Sequence, residues 1–175
     1  MDARPDDKRY TYADYCKWDD GLRWELIDGV PYSMAPGPSQ QHQSISMSLS
    51  VKIFNFLSNN NPCKVIAAPF DVRLNHDKED DTVVQPDIIV VCDENKLDEK
   101  SCIGAPDLVI EILSPTTSRH DRVTKLQLYQ RYKITEYWIV DPDEKTVHIH
   151  ILKITVITRK YIQKQTKYLF TASKD

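Results

Sequence analysis

The spacing of apolar residues changes period several times along the chain, and each change marks an element. Residues 10–18 (YTYADYCKW) predict a short helix, with Thr11 as its N-cap and Asp14 in its first turn. Residues 23–34 (RWELIDGVPYSM) predict a β-hairpin, because Asp28-Gly29 is a two-residue turn signal between apolar-bearing arms. From Ser39 to Leu57 the period turns helical. Ile45, Leu49, Ile53, Phe56 and Leu57 fall on one face, and the run Asn-Asn-Asn-Pro ends the helix.

The next stretch, CKVIAAPFDVRL, predicts two short strands or one bent at Pro69. After an acidic surface loop (HDKEDD), VVQPDIIVVC predicts a strand with a proline near its start. DENKLDEK is a polar loop. APDLVIEIL is almost continuously apolar, as suits a strand buried on both faces. Residues 114–134 open with capping residues and turn helical, with Val123, Leu126, Tyr129 or Gln130, and Lys133 on neighbouring rows. EYWIVDP and the alternating TVHIHIL predict two last strands around an Asp143-Glu144-Lys145 turn. The order of elements predicts a mixed α/β (α+β) domain with a central sheet, not a βαβ repeat.

Composition changes this picture little. At 175 residues the chain has one domain's length, and 41% hydrophobic with 28% charged residues is ordinary for a globular protein. Charge is more informative. Residues 1–150 carry 17 Lys+Arg against 25 Asp+Glu, a balance of −8, and residues 151–175 carry 6 against 1, a balance of +5. The acidic body excludes a protein that coats nucleic acid through a blanket positive field. It leaves open one that meets phosphate through a metal. The N-terminus lacks the apolar core of a secretory signal, and no run approaches the ~18 apolar residues of a membrane span. Cys16, Cys63, Cys92 and Cys102 form no Cys-x-x-Cys pair, so a reduced, cytoplasmic protein is expected.

Two acids stand out of place. Glu111 sits inside Leu108-Val109-Ile110-Glu111-Ile112-Leu113. A carboxylate in a buried strand costs several kcal/mol unless it is paired or binds a metal. The plain alternatives are an edge position or an arginine partner. Asp87 leads the apolar run Ile88-Ile89-Val90-Val91. It is either a strand-start aspartate or a group aimed into a cleft at the strand ends, and Pro106-Asp107 repeats the same dipeptide. Together, two carboxylates on adjacent core strands can share Mg²⁺ (or Mn²⁺), with a carbonyl such as that of Ile112 completing the shell. Such a cation activates water and stabilises charge on a phosphodiester. Lys125, fourteen residues after Glu111, is the candidate cation beside it; the plain alternative is a solvated lysine paired with Asp121. Glu25 either faces solvent from the hairpin or reaches the same cleft. His42, early in its helix, reads as structural. No Gly-rich phosphate loop and no Gly-x-Ser-x-Gly elbow is present. His148 and His150 share a strand face without further ligands, which argues against zinc.

The ordered set Glu25-Leu26-Ile27-Asp28-Gly29, Pro86-Asp87, Glu111-Ile112-Leu113-Ser114-Pro115-Thr116 and Glu136 to Pro142 (EYWIVDP) resembles the Uma-two restriction-endonuclease family. That bacterial family belongs to the PD-(D/E)XK nuclease superfamily, and the resemblance covers roughly residues 10–150. It implies a restriction-endonuclease-like core, a central mixed sheet flanked by helices, and a divalent-metal site built from Asp87 and Glu111. The superfamily's usual lysine would fall at Leu113, where this chain departs from the pattern. The resemblance then implies Lys125 as a migrated replacement and Glu25 as an accessory acid.

The expected function is therefore a Mg²⁺- or Mn²⁺-dependent endodeoxyribonuclease, a hydrolase of DNA phosphodiester bonds. Asp87, Glu111, Lys125 and Glu25 are its expected catalytic groups, and Asp87, Glu111 and Ile112 its metal ligands. The alternative is a nuclease-fold DNA-binding or interaction module without turnover, motivated by Leu113. The expected organisation is one domain over 1–150, with 151–175 a basic, β-prone extension of it, atypical for the family. DNA is the expected partner, a homodimer is possible, and no membrane association is expected.

Overall fold

Asp28 and Gly29 both take positive φ, 51° and 73°, and turn Trp24–Ile27 (β1) back on itself as Val30–Ser33 (β2). That pair of left-handed residues matches the right-handed twist of a two-residue hairpin. Arg9 adds a reason for glycine: a Cβ on Gly29 would lie 3.0 Å from the Arg9 Cβ. The structure is a computed structural model, and it describes residues 8–34, 37–58, 63–76, 79–115, 117–153 and 156–161. Thr116 and the tail beyond 161 lie outside those residues.

Ahead of the hairpin, Tyr12–Tyr15 (α1) begins at Thr11, whose side chain exchanges a capping box with Asp14. After it comes Gln40–Ser58 (α2). The strands are Lys64–Ala67 (β3), Asp71–Arg73 (β4), Val83–Val84 (β5), Ile88–Val91 (β6), Ser101–Ile103 (β7), Leu108–Ile112 (β8), Glu136–Asp141 (β9), Thr146–Lys153 (β10) and Val156–Tyr161 (β11). They form two mixed sheets. The smaller has the order β2-β1-β5-β4-β7, and the larger β11-β10-β9-β8-β6-β3. Parallel pairing occurs at β4–β7 and β8–β9; the other strand pairs among the described residues are antiparallel. The mixed α+β class is the one expected from the pattern.

Two prolines explain why the strands divide between sheets. The run VVQPDIIVVC is not one strand. Val83–Val84 pairs in the small sheet, and Ile88–Val91 pairs in the large one. Pro86 lies between them and cannot donate to a ladder. CKVIAAPFDVRL divides in the same way at the cis Ala68–Pro69 bond, with β3 in the large sheet and β4 in the small. The stretch after DENKLDEK holds a strand the pattern did not show, because β7 contributes only three residues.

The core lies on both faces of the large sheet. Alternation along β8 sends Val109 and Leu113 to one side and Ile110 and Ile112 to the other. On the first side they meet Val72, Val84 and Cys102 of the small sheet region and Leu128 and Tyr129 of Leu126–Arg131 (α3). On the second, Ile110 and Ile112 meet Ile45 and Leu49 of α2. That helix is covered only over its first part. Phe56 shares the angular face of Ile45 but is 68% exposed, because the sheet contacts only the first turns of that face.

The connection from β8 to β9 starts as one π-helical turn, His120–Lys125, which runs directly into α3. Val123 is half exposed, whereas Asp121 and Lys125 are buried on the same row as Leu128 and Tyr129. A solvated Lys125 is therefore excluded.

The expectation of four reduced cysteines is also corrected. Cys63, just before β3, and Cys92, just after β6, form a disulfide across two paired strands, with Cα atoms 4.0 Å apart. Cys16 and Cys102 are free thiols. At the other edge of the large sheet, residues 151–153 complete β10, and β11 pairs with it.

Candidate active site

The strand register brings the two out-of-place acids together. β6 and β8 run antiparallel with Ile88 opposite Ile110. One further step in that register sets Asp87 opposite Glu111, whose own carboxylate meets Lys125 and Tyr129. Asp87 is anchored there: its Oδ2 accepts the backbone N–H of Ile112 at 2.7 Å. Asp107, of the repeated Pro-Asp dipeptide, does something else. Its Oδ2 accepts the Cys92 N–H at 2.8 Å and closes the end of β6.

Lys125 is 2% exposed and reaches this corner from the π-turn. Its Nζ lies 2.7 Å from Glu111 Oε1, 2.8 Å from Glu25 Oε1 and 3.8 Å from Asp121 Oδ1. Tyr129, one turn further, donates its hydroxyl to Glu111 Oε1 at 3.0 Å. Glu25 Oε1 also accepts the Gln85 N–H at 3.0 Å. The other Glu25 oxygen, Oε2, is buried 3.8 Å from His120 Nε2, and neither atom has a hydrogen-bond partner among the described residues. Three carboxylates thus surround one ammonium.

The imbalance governs protonation. Burial pushes the Glu111 carboxyl well above the usual carboxylate range; Lys125 opposes this, while Asp121, Asp87 and Glu25 add to it. Asp121 is pushed up to about 6, again by burial first and against Lys125. For Lys125, burial favours the neutral amine, but Glu111, Glu25 and Asp121 together overcome it and hold the ammonium charged. One cation serves three acids, so the lysine keeps its charge and the acids compete for protons.

A cavity of about 500 Å³ opens onto this corner. Asp87, Glu111, Ile112, Leu113, Asp121 and Lys125 line it from the strand ends and the π-turn. Ser39, Gln41 and His42 line it from the start of α2, and Arg23 and Gln85 from the hairpin side. Glu25 does not line the cavity; it sits fully buried behind Lys125. Leu113 lines the wall and packs into the core, and it carries no charge.

Sequence reasoning missed two groups here. His42, read as structural, has Nε2 3.1 Å from the Ile112 carbonyl oxygen and 3.2 Å from Asp87 Oδ2. Burial lowers the pKa of this ring, but Asp87 and the Ile112 carbonyl outweigh that and raise it overall. No periodicity marks His42, since the contact spans 45 residues to Asp87 and 70 to Ile112. Asp121 was visible as a partner of Lys125, but not as part of the cavity wall. Asp141, of the Val-Asp-Pro block, is structural: it pairs with Arg122 at 2.5 Å and caps the following turn.

The donor set suits a hard divalent cation. Asp87, Glu111 and Asp121 supply carboxylates around one cavity, with Ile112 supplying a carbonyl. Among the described residues no three His, Cys, Asp or Glu side chains form a complete ligand cluster. A carbonyl and water would have to complete the shell, which is the usual manner of Mg²⁺.

The chain is 31% identical over 118 residues to the uncharacterized protein slr1290 of Synechocystis, a match covering 66% of this chain and 60% of that protein. The match therefore spans less than two thirds of that relative's length. A solved structure from Anabaena variabilis, described as a putative nuclease belonging to DUF820, superposes with a TM-score of 0.72 at 20% identity. It covers 92% of this chain and 97% of that one, and it shows a shared fold. No helix among the described residues is long and apolar enough to cross a membrane. Residues 11–168 match the family model described as "Uma2: Putative restriction endonuclease", and the chain belongs to that family.

Proposed function

We propose that this protein is a metal-dependent endonuclease that hydrolyses DNA phosphodiester bonds, with Mg²⁺ or Mn²⁺ held by Asp87, Glu111 and the Ile112 carbonyl. The observation that carries the reading is the Lys125–Glu111 contact of 2.7 Å on the wall of the cavity that Asp87 also lines. A cation, an acid pair and an ammonium are what phosphodiester hydrolysis requires, and here the ammonium comes from the π-turn rather than from position 113. The family description and the fold shared with a nuclease-like neighbour support the same reading.

When bound, the cation would polarise the phosphodiester, lower the pKa of a water and offset charge on the leaving oxygen. The chain's own groups divide the remaining work. Asp87 is held in place by the Ile112 N–H. Lys125 presents its ammonium to the cavity, where charge develops on the phosphate oxygens. Asp121 Oδ1, with a carboxyl near 6, is suited to accept a proton at neutral pH. Glu25 acts from behind by holding Lys125 Nζ. The start of α2 borders the cavity, so the positive end of its dipole favours a phosphate there.

Supercoiled plasmid incubated with the purified protein tests this directly. Nicking with Mg²⁺ or Mn²⁺, its absence in EDTA, and its loss in a folded Asp87→Asn variant are expected. Plasmid binding without nicking under either metal would contradict the reading and favour a module without turnover.

A further inference from the structure

His42 stands on the first turn of α2, and its ring meets the two atoms of Asp87 and Ile112 that the proposed function assigns to the cation. Nε2 lies 3.2 Å from Asp87 Oδ2 and 3.1 Å from Ile112 O. Adjacent corners of an octahedron with bonds of about 2.1 Å are about 3.0 Å apart. Nε2 is therefore spaced from each of the two oxygens as a neighbouring ligand would be. The ring is also committed at one end only: Nδ1 is buried with no hydrogen-bond partner among the described residues. The backbone is fixed by Ser39, whose Oγ accepts the His42 N–H at 3.2 Å. Glu111, by contrast, has Oε1 engaged by Lys125 and Tyr129.

We propose that His42 Nε2 is a nitrogen ligand of this metal centre, alongside Asp87 and the Ile112 carbonyl, and that it tunes the site toward Mn²⁺ over Mg²⁺. The inference rests on the metal-centre reading above. Its chemical basis is ligand softness: imidazole binds first-row transition ions well, whereas Mg²⁺ prefers oxygen and water. Coordination uses the neutral ring with its proton on Nδ1, the nitrogen left without a partner.

Pulsed EPR of Mn²⁺ bound to the full chain tests the nitrogen contact without any activity measurement. The bound ion should show ¹⁴N modulation from a directly coordinated imidazole. The modulation should change to that of ¹⁵N in protein labelled with ¹⁵N-histidine, and should vanish in His42→Gln. Calorimetry should show Mn²⁺ affinity falling roughly 10–100-fold in His42→Gln, with a smaller loss for Mg²⁺. Mn²⁺ that binds through Asp87 without nitrogen modulation, or with unchanged affinity in His42→Gln, overturns the role of His42 and leaves the metal centre standing. No Mn²⁺ binding, or binding that survives Asp87→Asn unchanged, overturns the metal-centre reading itself. If His42→Gln does not fold, absence of histidine modulation in the labelled wild-type protein still overturns the proposal, and its presence in a folded His120→Gln variant excludes the histidine beside Glu25 as its source.

Discussion

Lys125 and Glu111, fourteen residues apart in sequence, meet as a buried ion pair with Nζ 2.7 Å from Oε1. The pair is not isolated, because Glu25 Oε1 holds the same nitrogen at 2.8 Å. Removing the ammonium would leave two buried carboxylates facing each other.

Lys125→Ala should therefore cost stability as well as activity. Breaking a buried pair from one side typically costs about 3–5 kcal/mol. Urea denaturation at neutral pH should show a loss of that size, and cleavage should fall below detection. An unchanged denaturation midpoint would mean that the pair is solvated in solution.

Glu25 lies behind Lys125 and away from the cavity, so it is a positioning residue. Glu25→Gln should lower kcat by roughly 10–100-fold while leaving Mn²⁺ affinity unchanged. A variant that loses metal affinity instead would place Glu25 among the ligands.

Asp121 predicts a pH signature. Its carboxyl stands near 6 in the folded protein, against an ordinary value of 3.8. Between these two values the folded state binds more protons than the unfolded state, so the group's contribution to stability falls as pH rises. A shift of about two units corresponds to a loss on the order of 3 kcal/mol across pH 4–6. Urea midpoints of wild type and Asp121→Asn, compared without metal, should converge at low pH. The variant should become the more stable protein above pH 6. Parallel pH profiles would contradict the burial of Asp121.

The disulfide makes a separate prediction. Cys63 and Cys92 close a loop of 29 residues, for which chain entropy alone suggests about 3–4 kcal/mol. Under denaturing, non-reducing conditions a thiol assay should count two thiols per chain, Cys16 and Cys102. Four would show that the bridge is absent in the purified protein.

Legibility in the sequence followed the range of each interaction. The hairpin was readable because Asp28-Gly29 specifies it locally. Glu111 was conspicuous because a charge inside an apolar strand demands a partner, and Lys125, on the helix that follows that strand, was the candidate cation for it. The exchange of strands between two sheets at Pro69 and Pro86 was not readable, because a proline breaks a ladder without saying where the chain goes next. Asp121 and Lys125 share a row with the buried Leu128 and Tyr129, but two opposite charges four residues apart read equally well as a solvated pair, so their burial was not readable. His42 was invisible for a different reason. Its contacts to Asp87 and Ile112 depend wholly on how α2 docks on the sheet.

The central claim is that Glu111, on the strand beside Asp87, carries metal-dependent hydrolysis of DNA. Single-turnover cleavage of an end-labelled duplex in Mn²⁺ tests it most directly, comparing wild type with Glu111→Gln, which keeps acceptors for Tyr129 and Lys125. The account predicts metal-dependent cleavage by wild type and a loss of at least roughly 10³-fold in the variant. Equal cleavage by the two proteins would contradict it.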